Sequence, residues 1–292
     1  MIERHGRFLE LRGLHTHYLD VPGGDPPLVL LHGLSANAYE FGGLLSAGLS
    51  PAFRVVAPDL RGRGRSGKPP TGYRMRDHAE DVLALLDALA LDRVVLGGHS
   101  FGAYLSIYLA AHHPDRVTKL IVIDAALSLH PRVAGLLKPS LDRLTQVSPS
   151  AESYLAALRD APYMAGRWDD SLERYFRAEM VENADGSVQS ATSAAAIAQA
   201  LAGVREEPWA DLVRRVAQPA LLLNALGAYG AEGTPPLIEE ASARETASTF
   251  ANCRYVAVPG NHLTMVFMEG AAVIRREIEA FIADGNGTTL SR

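Results

Sequence analysis

The five residues Gly98-His99-Ser100-Phe101-Gly102 constrain this chain more than any others do. They lie between a continuous apolar run at 94–97 and an apolar, helix-forming stretch from about 103 to 111, so a buried strand must give way to a helix within a few residues. A turn that sharp presses backbone against backbone, which explains glycine at both flanks, and it projects the serine hydroxyl off the end of a sheet. A serine acting only as a helix N-cap would need no flanking glycines. The start of a helix also aims unpaired N–H groups at whatever the hydroxyl attacks, a favourable place for negative charge to develop.

The rest of the chain repeats the alternation of strand and helix. Residues 8–12 and 16–21 read as an antiparallel edge hairpin turning at Gly13, and the prolines and glycines of 22–27 then break the chain. Residues 28–31 and 54–57 are short apolar runs of the kind buried on both faces of a parallel sheet. Across 77–91, Val82, Leu85, Leu86 and Leu89 fall on one helical stripe, leaving Asp81, Asp87 and Asp92 to solvent, and another strand follows at 119–123. The pattern predicts an α/β fold, a mostly parallel central sheet flanked by helices. After Asp124 the texture changes: 126–207 is rich in helix formers, has no convincing strand and reads as a helical insertion. Strand character resumes at 219–223 and 254–258, a last helix spans about 263–282, and 285–292 reads as a frayed tail. The expected organisation is a core of 1–125 and 208–285 carrying an inserted unit at 126–207.

Composition removes several classes of function. With 292 residues, 48% hydrophobic, 21% charged and a net charge of −5, the chain is an ordinary globular protein without the basic excess a nucleic-acid partner calls for. No apolar stretch reaches the roughly 20 residues of a membrane span, and residues 1–12 lack a signal-peptide core. Cys253, the single cysteine, can form neither an internal disulfide nor a thiolate metal site, and His15 and His17 on one strand face lack companions for a metal. The expectation is a cytoplasmic protein with no cofactor, no metal and no membrane insertion, its oligomeric state left open.

A serine hydroxyl needs a base within hydrogen-bond reach, and that base needs a third group to hold its tautomer. Of the ten histidines, His262 is best placed, in the turn Val258-Pro259-Gly260-Asn261-His262 between the last strand and the last helix. His99 would point away along the turn and reads as packed or locally bonded; His112 and His113 end a helix, where a cation suits the dipole. A second N–H donor for an oxyanion should come from Leu31-His32-Gly33-Leu34, making Leu34 and Phe101 the candidate backbone donors. Residues 62–67 also match G-x-G-x-x-G, but Lys68-Pro69-Pro70-Thr71-Gly72 intervenes before any helix, which argues against a dinucleotide. Arg61, Arg63 and Arg65 read instead as a solvated loop with some capacity to steer anions.

His32-Gly33, the run Asp59-Leu60-Arg61-Gly62-Arg63-Gly64-Arg65-Ser66-Gly67, the Ser100 turn and Gly260-Asn261-His262, in that order, resemble the α/β-hydrolase superfamily in its lid-bearing esterase, lipase and C–C hydrolase branch. The resemblance spans nearly the whole chain outside the insertion. It implies an α/β-hydrolase fold of about eight strands, Ser100 as nucleophile, His262 as base, and 126–207 as a helical cap inserted after the sixth strand. The superfamily usually carries its acid after the strand preceding the histidine strand, yet Leu223-Asn224-Ala225-Leu226-Gly227-Ala228-Tyr229 holds no carboxylate. Its other solution puts the acid at the end of the strand before that, where Asp124 stands; Glu232 is the alternative.

The implied reaction is cleavage of small to medium hydrophobic carboxylic esters through an acyl-enzyme. C–C bond hydrolysis, thioester or lactone cleavage, lyase chemistry and a non-catalytic small-molecule receptor are the alternatives on such a fold. Serine at the elbow argues against haloalkane and epoxide opening, which need an aspartate there. Tyr154, Tyr163, Met164, Trp168 and Phe176 either line an apolar acyl pocket or only pack the cap.

Overall fold

The computed structural model describes residues 2–164, 166–231 and 233–284. The amino-terminal half runs β1 (Gly6–Leu11), β2 (Leu14–Val21), β3 (Leu28–Leu31), the short helices α1 (Gly42–Ser46) and α2 (Leu49–Ala52), β4 (Val55–Pro58), α3 (Met75–Ala88), β5 (Val94–His99), α4 (Phe101–His112) and β6 (Val117–Ile123). Next come α5 (Val133–Asp142), β7 (Val147–Ser148), α6 (Ala151–Arg159), α7 (Asp170–Glu179), β8 (Met180–Glu182), β9 (Val188–Ser190) and α8 (Ala194–Glu206). The chain closes with α9 (Trp209–Arg215), β10 (Ala220–Ala225), α10 (Glu240–Thr249), β11 (Cys253–Val258) and α11 (Met268–Ala283).

Eight strands form one sheet in the order β1-β2-β4-β3-β5-β6-β10-β11. The β1–β2 and β2–β4 pairs are antiparallel, and every later pair is parallel. Because side chains alternate along a strand, the apolar runs feed two cores at once. Leu28, Leu30, Ile121, Ile123, Leu221 and Leu223 join the core under α11 and the insertion; Val29, Leu31, Leu120, Val122 and Leu222 join the one under α3 and α4. The fold expected from the sequence, an α/β-hydrolase sheet of eight mostly parallel strands, is the fold observed. No helix among the described residues is long and apolar enough to cross a membrane.

Three expectations need correction. The segment 126–207 is not purely helical, since β7, β9 and β8 form a small antiparallel sheet within it. Asp81 is buried rather than wet, because the Arg61 guanidinium grips both its oxygens, at 2.6 and 2.7 Å. Arg63 is likewise wholly buried, whereas Arg65 beside it is exposed, so the loop is not uniformly solvated. Glu232 and the tail 285–292 lie outside the described residues.

Candidate active site

Parallel strands of one sheet end at the same edge, and β5, β6, β10 and β11 lie side by side there, so residues far apart in sequence converge. Ser100 follows β5 directly at φ 53° and ψ −114°, with no capping hydrogen bond from its side chain. A positive φ in a residue with a Cβ is costly, and neighbouring contacts must hold it. The Ser100 N–H donates to the Ile123 carbonyl at 2.9 Å, and the Ser100 carbonyl accepts from Ala103 and Tyr104 in the first turn of α4. The flanking glycines are obligatory: a Cβ on Gly98 would lie 2.1 Å from the Gly102 oxygen, and one on Gly102 would lie 1.9 Å from the Leu31 oxygen.

Asp124 caps β6, also at positive φ, and is almost wholly buried. One carboxylate oxygen accepts from the Ala225 N–H at 2.8 Å and the Asn224 amide at 2.9 Å; the other accepts from His262 Nδ1 at 2.6 Å. A proton held on Nδ1 by a carboxylate leaves Nε2 of the neutral ring free to accept another. The end of β10, where Asn224 and Ala225 stand in place of an acid, thus supplies the donors that hold Asp124. His262 is held in turn by Asn261, whose side chain accepts from the Leu263 and Thr264 N–H groups and donates to the Tyr163 carbonyl. Burial, with the electrostatics of the adjacent His99, keeps His262 below the ordinary histidine range against the pull of Asp124.

His99 departs from expectation. Its ring packs 4.6 Å from that of His262, and its partner is distant in sequence: His99 Nδ1 donates to Glu40 Oε1 at 3.1 Å. Burial alone would lower the His99 pKa, yet Glu40 raises it, and the same contact holds the Glu40 carboxyl below its usual range despite burial. The other oxygen of Glu40 accepts from the Gly33 N–H at 2.8 Å, so this one carboxylate ties the loop after β3 to the elbow. Sequence reasoning passed over Glu40; a lone acid within the apolar stretch Ala38-Tyr39-Glu40-Phe41 was the signal available.

Leu34 lies on that loop. The Gly33 carbonyl, in the same planar peptide as the Leu34 N–H, accepts from His32 Nδ1 at 2.8 Å, which fixes the direction in which the N–H points. His32 Nε2 accepts from the Leu60 N–H at 2.9 Å, so its tautomer is set as well. Neither the Leu34 nor the Phe101 N–H is spent on a hydrogen bond among the described residues.

Ser100, His262, His99, Leu34 and Phe101 all line one cavity of about 880 Å³, its open mouth included. Its far wall is apolar and comes largely from the insertion and the loop after β10, including Leu137, Leu141, Phe176, Leu201 and Tyr229. Of the aromatic and Met side chains singled out in the sequence, Tyr163 and Phe176 reach the cavity, whereas Tyr154, Met164 and Trp168 pack elsewhere. Arg143 also lines it, and its guanidinium is paired with the buried Glu179, which accepts further from Tyr154 and Ser190 at 2.9 Å each. His15 and His17 do not converge: His17 is buried against Asp59, and His15 is exposed beside Glu10. Among the described residues no cluster of three or more His, Cys, Asp or Glu side chains is arranged to hold a metal.

The chain is similar to known proteins over most of its length. Residues 26–267 match the family model of the alpha/beta hydrolase fold. A 2-(acetamidomethylene)succinate hydrolase from Mesorhizobium japonicum is 30% identical over 246 residues, which is 82% of this chain and 81% of the relative. A crystal structure of E-2-(acetamidomethylene)succinate hydrolase superposes with a TM-score of 0.80 at 26% identity, covering 95% of this chain and 98% of that one. A soluble epoxide hydrolase from Corynebacterium sp. is 40% identical over 128 residues, 44% of this chain and 42% of the relative.

Proposed function

From the premise that this chain belongs to the alpha/beta hydrolase family, we propose that it is a serine hydrolase that cleaves small to medium hydrophobic carboxylic esters through an acyl-enzyme on Ser100. The observation that carries this reading is the 2.6 Å contact between His262 Nδ1 and Asp124, on a ring that shares its cavity with a strained, uncapped serine. In the proposed cycle the Ser100 hydroxyl adds to the ester carbonyl while its proton passes to His262 Nε2. The carbonyl electrons settle on oxygen, facing the Leu34 and Phe101 N–H groups. Collapse expels the alcohol, which takes the proton from His262; water then adds to the acyl-enzyme with His262 again as base, and the acid leaves. Epoxide opening, the named activity of one partial relative, proceeds through an alkyl ester on a carboxylate, and position 100 holds a hydroxyl. The segment 126–207 serves in this reading as the lid that shapes the acyl pocket, and Arg143, neutralised by Glu179, leaves that pocket suited to uncharged groups.

A second reading has a specific observation behind it. The substrate named for the relative in Mesorhizobium japonicum carries an acetamide and a succinate, and Arg143 is the arginine in this cavity able to meet a carboxylate. Hydrolysis of p-nitrophenyl esters of increasing acyl length, run beside small amides and esters bearing a free carboxylate, separates the two. The expected result is turnover of uncharged esters that disappears in Ser100→Ala and falls by about 10³-fold or more in Asp124→Asn, as loss of the orienting anion does in such triads. A preference for the anionic compounds, lost in Arg143→Met, would select the second reading. No turnover above the Ser100→Ala background on either series would overturn both.

A further inference from the structure

Arg63 is wholly buried, yet no carboxylate meets it. Its Nε donates to the Leu34 carbonyl at 2.9 Å and its Nη1 to the Arg61 carbonyl at 2.7 Å, while Nη1 also lies 3.4 Å from Nε2 of His78. The second terminal nitrogen is buried with no protein partner among the described residues. The guanidinium carbon stands 5.0 Å from the centre of the Phe101 ring, and His78 packs edge-on against the same ring. Burial and the adjacent arginines push the His78 pKa well below the ordinary histidine range, and an imidazole, neutral or protonated, offers a cation no counter-charge. Asp81 of α3 is engaged by Arg61 and Arg12, and Asp59 at the head of the loop by His17 and the Ala38 and Arg65 N–H groups. Burial pulls the Arg63 pKa down to about 9, which still leaves it cationic at neutral pH.

A fold rarely retains an uncompensated buried charge, since desolvation opposes it and an apolar side chain of similar volume would serve packing as well or better. Position narrows the reason. Among the residues this cation touches are Leu34, through its carbonyl, and Phe101, through its ring; both line the cavity, and neither N–H is spent on a hydrogen bond among the described residues. With the Gly33 carbonyl pinned by His32 and the Leu34 carbonyl pinned by Arg63, the peptides on both sides of the Leu34 Cα are fixed.

We propose that Arg63 is the positioning residue of the oxyanion site, its guanidinium anchoring the Leu34 loop and adding an unneutralised positive charge to the field in which negative charge forms on the substrate oxygen. This rests on the acyl-transfer reading of Ser100. A charge fixed before the reaction, in a place water does not screen, favours the charged transition state over the neutral ground state and so acts on kcat more than on KM.

The test compares a trifluoromethyl ketone with its methyl ketone counterpart as inhibitors of the wild type, Arg63→Lys, Arg63→Gln and Arg63→Met. Ser100 adds to the fluorinated ketone, its proton passes to His262 and the oxygen becomes an anion, whereas the methyl ketone binds essentially as the neutral carbonyl. A purely structural role for Arg63 would weaken both inhibitors alike. The proposal expects the affinity ratio between them to fall about tenfold or more in Arg63→Gln and Arg63→Met, with kcat falling in parallel and KM little changed, and to recover most of the way in Arg63→Lys. Should Arg63→Met not fold, the Gln and Lys variants carry the same decision. A wild-type ratio in Arg63→Gln would overturn the inference while leaving the acyl-transfer reading intact. A wild-type protein that binds the two ketones equally would sink that reading and this inference with it.

Discussion

At the scale of single residues, the site depends on which charges face His262. Asp124 reaches it from the end of β6, His99 from the end of β5, Glu40 from the turn before α1, and the Tyr229 ring from the loop after β10. The proposed base works only when its ring is neutral, so its folded pKa sets the acid limb of kcat/KM. Burial and the electrostatics of His99 hold that pKa down, hence activity should persist below the ordinary histidine value of about 6.5. Replacing His99 by Asn removes a neighbour whose electrostatics lower the His262 pKa, which favours protonated His262. The acid limb should therefore move to higher pH in His99→Asn, measured as a kcat/KM profile on one ester; a limb that stays or moves to lower pH would show that His99 does not tune the base. Ser100, His262 and Asp124 were legible in the sequence because each stands at a strand end and strand ends announce themselves as apolar runs. Glu40, His99 and Arg63 were not, because their roles rest on contacts between segments that only the folded sheet brings together.

Among elements, the central strands were legible for a simple reason: a strand covered on both faces must be apolar throughout, and 28–31, 94–97 and 119–123 are nearly so. The strands of the small sheet, only two or three residues each, carry no readable period, and β8 is mostly exposed. β8 continues directly from α7, and at that junction Glu179, wholly buried at the end of α7, pairs with Arg143 and is bonded to Ser190 of β9. Removing one partner strands the other charge in a dry site, which typically costs about 3–5 kcal/mol, whereas replacing both with apolar residues is often near neutral. Glu179→Ala should accordingly lower the urea midpoint far more than Arg143→Met/Glu179→Leu does. Equal losses in the single and double variants would mean that packing around the two side chains, not their charge, secures these elements.

For the molecule as a whole, the question is whether 126–207 behaves as a separate body or as part of one cooperative unit. A helical stretch inserted between two strands suggests independence when read from sequence, because its composition differs from the rest. Packing argues otherwise. Tyr154, Leu155, Met164, Leu172 and Phe176 of this segment share a continuous apolar core with Phe41, Leu44 and Phe267, and its backbone is bonded to the core at Tyr163–Asn261 and Ser193–Gly62. Unfolding the segment alone would expose that shared surface at about 25 cal/mol per Å², with no compensating gain of chain entropy in the sheet. The two tryptophans report on the two regions: Trp168 stacks on Phe176 within the segment, and Trp209 packs 4.8 Å from Tyr104 of α4. Trp168→Phe and Trp209→Phe each leave one reporter, so urea unfolding followed by fluorescence reads the regions separately. One cooperative unit requires both proteins, after allowance for any change in overall stability seen by circular dichroism, to show fluorescence and backbone transitions that coincide. A Trp168 transition that precedes loss of backbone signal would instead mean that the roof of the cavity opens on its own, and that access to Ser100 is set by an equilibrium the core does not share.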